Sequence, residues 1–311
     1  MNRRWRTMGM VFALVAWMQP LMAWDAPGHE LVAAMAWRQL NPKARQAVEQ
    51  AAAEMQNPTQ AYTPVTLACW MDDLRHDPAI PYYNEFSTWH YIDIPIDTRD
   101  PMPPLEPGGD TDLHGNVVQA LKRAIAVLKG GTDPYVKSKA MACAMVMHLV
   151  GDIHQPLHCA TKYFFTHGEL HQDNGGNKED VINGPAGDAH FNLHAFWDSA
   201  WRASFDPASG GVVIDPRYNE RGVHNARNVD DAWLATKTFP PKLLAPDIDA
   251  WARESNAIAR DFVYRDLTAT GNRKYCRLGS AYVAKAHEIA QERIALAAAR
   301  LAALLNATLG L

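Results

Sequence analysis

His148-Leu149-Val150-Gly151-Asp152-Ile153-His154-Gln155-Pro156-Leu157-His158 is the stretch on which the fold turns. It closes an apolar run, from Val136, that places Met141, Met145, His148 and Asp152 at helical spacing. His148 and Asp152 stand four residues apart, so they project from one helix face. An imidazole and a carboxylate on an apolar helix are costly to bury unless they pair or bind a cation. His154 falls about 200° round an ideal helix from Asp152 and is expected to point away. Pro156 cannot donate a backbone hydrogen bond, so it should end or kink the helix. That break lets His158 turn back toward the same cavity.

His194-Ala195-Phe196-Trp197-Asp198 repeats the arrangement, with Phe196 and Trp197 to anchor the helix in the core. Two such pairs plus His158 offer nitrogen and oxygen without thiolate, which suits Zn²⁺ held for catalysis rather than for structure. His29, Asp72 and His90 are further candidate ligands.

Helical patterns extend over 30–39, 43–55, 65–74, 117–128, 136–152, 249–264 and 280–309. Strand signals are weak: Val212-Val213-Ile214 is short, and Pro95 interrupts 91–96. The Pro/Gly-rich stretches 101–109 and 168–187 read as loops. The expectation is one all-α domain wrapped around an internal site.

A chain of 311 residues, 48% of them hydrophobic, is long enough to bury a sizeable core. A formal charge of −4, with no basic tail or stripe, argues against a protein that grips nucleic acid by counterion release. If the substrate is a phosphate ester, bound metal must supply most of the positive charge. Arg3, Arg4 and Arg6, the apolar run 8–18 and Leu21-Met22-Ala23 read as a signal peptide cut after Ala23. The domain expectation is therefore a leader over 1–23 and a catalytic domain over 24–311. The mature protein is expected in the periplasm or outside the cell, with no stable membrane association. Export permits disulfides, and Cys69, Cys143, Cys159 and Cys276 allow three pairings; a buried free thiol is equally open for Cys143.

Several segments occur in a fixed order: Trp24-Asp25-Ala26-Pro27-Gly28-His29, Cys69-Trp70-Met71-Asp72-Asp73-Leu74-Arg75, Trp89-His90-Tyr91-Ile92-Asp93, the 148–158 stretch, Gly175-Gly176-Asn177 and Asn192-Leu193-His194 through Asp198. Together they resemble the S1/P1 nuclease family of zinc-dependent nucleases and 3′-nucleotidases, in a bacterial-type form, distantly related to zinc phospholipase C. The resemblance spans nearly the whole mature chain. It implies a mainly helical domain of the phospholipase C/P1 nuclease type with three zinc ions in a cleft. By that resemblance, one zinc takes Asp72, His90, His148 and Asp152, and a second takes His158, His194 and Asp198. The third takes the amine and carbonyl of Trp24, with His29 and a bridging Asp152. Such a chelate requires Trp24 to be the true first residue.

The resemblance also implies catalytic roles for Asp72, as ligand or water-orienting base, and for Arg75 on the phosphate. Tyr91 matches the family's stacking aromatic and Asp93 its base-edge acceptor. Gly175 and Asn177 match the loop beside the base. The implied substrates are single-stranded DNA, RNA and 3′-nucleotides, with 5′-phosphate products, handled by a monomer. Rival readings are a phospholipase C-like phosphodiesterase and a non-catalytic zinc-binding secreted protein. Asp198 weighs against the first rival, because the phospholipases resemble one another in placing Glu there. The stretch 159–174 is longer than in compact fungal members, and His167, His171 and His190 are expected at the surface.

Overall fold

The computed structural model describes residues 24–56, 61–74, 86–96, 115–166, 169–185, 191–216, 237–265, 267–269 and 275–310. The leader expected over 1–23, Arg75, the loop expected over 101–109, His167 and His190 lie outside these residues.

Helix α1, Ala26–Gln39, starts at an Asp25 cap whose carboxylate accepts from the Gly28 amide. Helix α2, Pro42–Glu54, follows an Asn41 cap with proline in its first turn, where the missing N–H costs nothing. A 3₁₀ turn, Thr66–Cys69, runs into the single α-turn α3, Trp70–Asp73, so the helix expected over 65–74 is a composite. Another 3₁₀ turn, Ser87–His90, precedes α4, Val117–Leu128, which opens with a reciprocal capping box between Asn116 and Gln119.

Helix α5, Lys139–Asp152, starts at Ser138 rather than at Val136, because the Ser138 hydroxyl accepts from the Met141 amide. It is buried along nearly its whole length and packs against α1, α2, α4 and the final helix. That final helix, α8, covers Ser280–Leu309. Val283, Ala286, Ala290, Ile294, Ala297, Leu301 and Leu305 form its buried stripe, and their three- and four-residue steps follow the helical period. Helix α6 covers Leu193–Ser199, and helix α7, Ile248–Ile258, packs on the segment after α5, where Ser255 donates to Ile153 O and Asn256 to Cys159 O. The helix expected over 249–264 gives way after Ile258 to a π-turn, Ala259–Val263.

The domain is mainly helical, with short strands at its periphery. Strands β1, Tyr163–Thr166, and β2, Glu169–Gln172, form an antiparallel hairpin pairing Tyr163 with Gln172 and Phe164 with His171. Strand β3, Asp180–Val181, pairs in parallel with β7, Tyr275–Arg277, which pairs antiparallel with β6, Thr268–Ala269. Strands β4, Ala203–Asp206, and β5, Gly211–Ile214, make a second hairpin. The loop expected over 168–187 therefore holds β2 and β3. Their pairing partners lie outside the segment itself, so its own composition gives no sign of them. His171 is half-buried and stacks on Phe164, rather than standing free at the surface.

The disulfide expectation is also corrected. None of the four cysteines is in a disulfide, and all are buried. Cys69 faces the Ala26 carbonyl, Cys143 the Met147 sulfur and Cys159 the Ile153 carbonyl, so each thiol packs as a small apolar group in its own environment. Burial pushes the Cys143 thiol up to about 12. No described helix is long and apolar enough to cross a membrane.

Candidate metal centre

Helix α5 ends at Asp152, and the chain tightens through turns in which the His154 amide donates to Gly151 O and the Gln155 amide to Asp152 O. Pro156 then opens a 3₁₀ turn, Pro156–Cys159, that carries His158 back to the cluster. His148 and Asp152 come from α5, His194 and Asp198 from α6, His29 from α1, Asp72 from α3, and His90 from the turn before α4. All seven, with His158, are buried.

The imidazoles are oriented from behind. Nδ1 of His148 lies 2.7 Å from Ala68 O, that of His158 2.7 Å from His90 O, and that of His194 2.7 Å from Gly175 O. A carbonyl only accepts, so each Nδ1 carries a proton and each Nε2 faces the interior, where it can ligate a cation once any proton it holds is displaced. Three groups of donors result: His29, His148 and Asp152; Asp72, His90 and His148; and His158, His194 and Asp198.

The first two groups share His148, and Asp152 of the first also reaches His90 of the second. One Asp152 oxygen lies 3.2 Å from His29 Nε2, the other 3.1 Å from His90 Nδ1 and 3.2 Å from His148 Nε2. Asp72 approaches His148 Nε2 at 3.9 Å and His90 Nδ1 at 4.0 Å. In the third group His158 Nε2 and His194 Nε2 are 3.1 Å apart, and Asp198 is 3.7 Å from His194 Nε2. Two nitrogens about 2.05 Å from a tetrahedral zinc would lie about 3.3 Å apart, so these separations match donors that share a cation.

Two further observations fit metal. Among the described residues, the 3.2 Å approach of His29 Nε2 to Asp152 Oδ1 lacks hydrogen-bond geometry, a costly state for two buried polar atoms that a cation between them would relieve. Burial drives the Asp198 pKa well above the ordinary carboxylate range, against the Gln155 hydrogen bond, with Asp25, Asp72 and Asp152 adding like charge. Burial alone would lower the His148 pKa, but Asp152 and Asp72 outweigh it and raise it to about 9. Asp152 is held well below its usual range because His148, His29 and His90 outweigh the effect of burial. Such crowding of carboxylates among imidazoles is a well for divalent cations.

His154 stays outside the cluster. Its Nδ1 donates to Val150 O at 2.7 Å and its Nε2 accepts from Arg300 Nη1 at 2.9 Å. Arg300 also forks onto Glu254 at 2.7 and 2.8 Å, which ties α7 and α8 to the bend after Asp152.

Beside the third group lies a small cleft lined by Tyr91, Asp93, Leu157, Gln172, Asn174, Gly175 and His194. Burial and the neighbouring Asp173 raise the Asp93 carboxyl to about 6. Gly175 belongs to this wall, with φ of +60°, and an added Cβ would sit 2.6 Å from Leu157 O. Asn177 is not among the lining residues. Its side chain donates to Asn174 O at 2.8 Å and closes the turn, while Asn174, in a left-handed conformation at φ +54°, lines the cleft in its place.

The sequence reading missed Asp173, Tyr264 and Gln155. Asp173 is fully buried and accepts from the Lys162 amide at 2.8 Å, the Gly176 amide at 3.0 Å and the Tyr264 hydroxyl at 2.6 Å, which pins the glycine turn under His194. Gln155 Nε2 donates to Asp198 at 2.8 Å. An acidic residue two before a Gly-Gly pair was the one visible signal.

A family model described as S1/P1 nuclease matches residues 24–310. This chain belongs to the S1/P1 nuclease family. Endonuclease 2 of Arabidopsis thaliana is 24% identical over 306 residues, covering 92% of this chain and 91% of that protein. Membership of the S1/P1 nuclease family assigns the chain to the nucleases, hydrolases of phosphodiester bonds. The family match begins at Trp24, five residues before the first histidine of the cluster.

Proposed function

We propose that this chain is a secreted or periplasmic, zinc-dependent nuclease and 3′-nucleotidase that hydrolyses single-stranded DNA and RNA and releases 5′-phosphate products. The observation that supports this most is His194, which belongs at once to a metal-binding group and to the wall of the cleft. Chemistry at the cluster and recognition of a substrate group thus share one imidazole.

Three ions are assigned. Asp72, His90, His148 and Asp152 would hold one, and His158, His194 and Asp198 another. His29, Asp152 and the amine and carbonyl of Trp24 would hold the third, once cleavage after Ala23 frees that amine. An α-amino group titrates near 8, so a divalent cation displaces its proton readily. Bound zinc there would lower the pKa of water to roughly 7 and neutralise charge on the phosphate.

The chain's own residues do the rest. The Asp72 carboxylate orients the attacking water and accepts its proton. Arg75 offers two parallel donors to phosphate oxygens. Tyr91 stacks on the nucleobase and Asp93 accepts from its edge, as a carboxylate above about pH 6. A base can enter this cleft only after leaving its stack, which favours single strands over duplex. Scission of the P–O3′ bond leaves the phosphate on the 5′ carbon, and the departing 3′ oxygen takes up a proton from solvent.

The test is cleavage by purified protein beginning at Trp24. Single-stranded DNA and 3′-AMP should be consumed and a choline phospholipid spared, with all activity lost to chelator and restored by zinc. Turnover of the lipid alone would overturn the reading.

A further inference from the structure

We propose that Asp25, clamped by Arg202 and Trp201, is the positioning residue that holds the chain terminus at Trp24 against the metal cluster. This rests on the reading of the Trp24 amine as a ligand.

Every polar group of Asp25 is committed. Its amide donates to Asp198 O at 3.2 Å, at the end of α6, and its carbonyl accepts from the His29 amide at 3.1 Å. One carboxylate oxygen accepts from the Gly28 amide at 3.0 Å and from Trp201 Nε1 at 3.1 Å. The other accepts from Arg202 Nε at 2.8 Å and also from Arg202 Nη2. Arg202 is fixed in turn by Nη1, which donates to Asp215 O at 2.7 Å, and its side chain is only 8% exposed. A single side chain thus joins the start of α1, which carries His29, to the segment just after α6, which carries Asp198.

Trp24 sits inside this frame. Its ring is fully buried, with Nε1 donating to Gly151 O at 2.9 Å, next to Asp152. Gly28 leaves no slack: an added Cβ would lie 2.8 Å from Trp24 Cβ and 3.2 Å from both Asp25 Oδ1 and Trp201 Nε1. Gly151 is as tight, since its Cβ would lie 2.9 Å from His29 Nδ1. A chain terminus is ordinarily the least ordered part of a domain. An amine that must chelate needs its own anchor, and the residue following it supplies one. The carboxylate of Asp25 also adds like charge at Asp198, an effect that would persist in a form extended before Trp24, whereas its action through the backbone of Trp24 would not.

Asp25→Asn isolates the clamp. Asn Oδ1 can still accept from Gly28 and Trp201, so the cap of α1 survives, but its amide would oppose the Arg202 donors. The experiment measures zinc per chain against buffered free zinc for four proteins: the native form beginning at Trp24, Asp25→Asn, a form with one extra glycine before Trp24, and that extended form carrying Asp25→Asn. Circular dichroism of each verifies the fold, and Arg202→Lys serves as a second variant that keeps the charge but loses the fork. Outer partners of metal ligands are worth about 10–100-fold in affinity, so Asp25→Asn should weaken the last-bound zinc at least about tenfold. Arg202→Lys should weaken it less. The extended form should be weak by itself, and adding Asp25→Asn to it should change nothing further. An extended form that binds all its zinc normally would refute the amine reading. A weakened extended form beside a normal Asp25→Asn would refute the clamp alone. Additive losses in the double form would also refute it, by placing the action of Asp25 on His29 or Asp198 instead.

Discussion

His158 and His194 aim their Nε2 atoms at each other across 3.1 Å, while both Nδ1 protons are committed to backbone carbonyls. With both rings neutral, two lone pairs facing each other in a buried space repel, and a cation between them converts the repulsion into two bonds. Replacing His194 by Ala should therefore remove an ion and leave the fold of the other two groups intact. Turnover of single-stranded DNA should fall by more than about 100-fold, since even outer partners of ligands are worth 10–100-fold. Elemental analysis beside the cleavage assay checks this; an unchanged zinc content would remove His194 from the ligand set.

Gln155 bridges the two halves of that group. It donates to Asp198 and accepts from the Leu157 amide at 2.5 Å, one residue before His158. Gln155→Leu keeps the volume and loses both hydrogen bonds. Zinc affinity should drop about 10–100-fold with modest change in the melting of the metal-free protein. Equal losses in both forms would make Gln155 a packing residue.

The two forms should respond to pH with opposite sign. In the metal-free protein the folded state holds the His148 proton up to about 9, whereas the unfolded chain sheds it near 6.5. The folded state then binds more protons, so its stability, fully present below 6.5, is lost as pH rises through about 9. Zinc must displace that proton, so zinc affinity rises over the same window and the loaded protein gains. Melting temperatures from pH 6.5 to 9, with chelator and with zinc, should diverge; parallel curves would contradict the assignment of His148.

Gly175→Ala should damage two properties at once. A left-handed alanine costs about 1–3 kcal/mol, and its Cβ would press on Leu157 O and displace the carbonyl that orients His194. Stability and zinc affinity should fall together. Gly210→Ala is the control, with φ of +66° but no atom within 4 Å of the added Cβ. It should cost about 1 kcal/mol and leave zinc binding unchanged.

What was legible in the sequence was what helical periodicity encodes. His148 with Asp152 and His194 with Asp198 share faces because the spacing is local, and the bend before His158 follows from Pro156. The composite turn over 66–73 and the π-turn after Ile258 departed from the expected helices only in hydrogen-bond step, a detail periodicity does not resolve. The hairpin over 163–172 and the parallel pairing of Asp180 with Tyr275 depend on partners chosen in three dimensions. The same holds for the supports of the site. Tyr264 reaches Asp173 across 91 residues of chain and Arg300 reaches His154 across 146, and no local pattern marks either contact. The exchange of Asn177 for Asn174 in the cleft wall has a similar origin, because three successive left-handed residues reverse which side chain faces inward.

The central claim is a cluster of zinc ions shared among five imidazoles, three carboxylates and the terminus at Trp24. Anomalous diffraction at the zinc edge, from crystals of the protein beginning at Trp24, tests it most directly. The account predicts peaks about 2.0–2.3 Å from the donors of all three groups, one of them also bonded to the Trp24 nitrogen. Peaks confined to surface histidines, or none between His158 and His194, would contradict it.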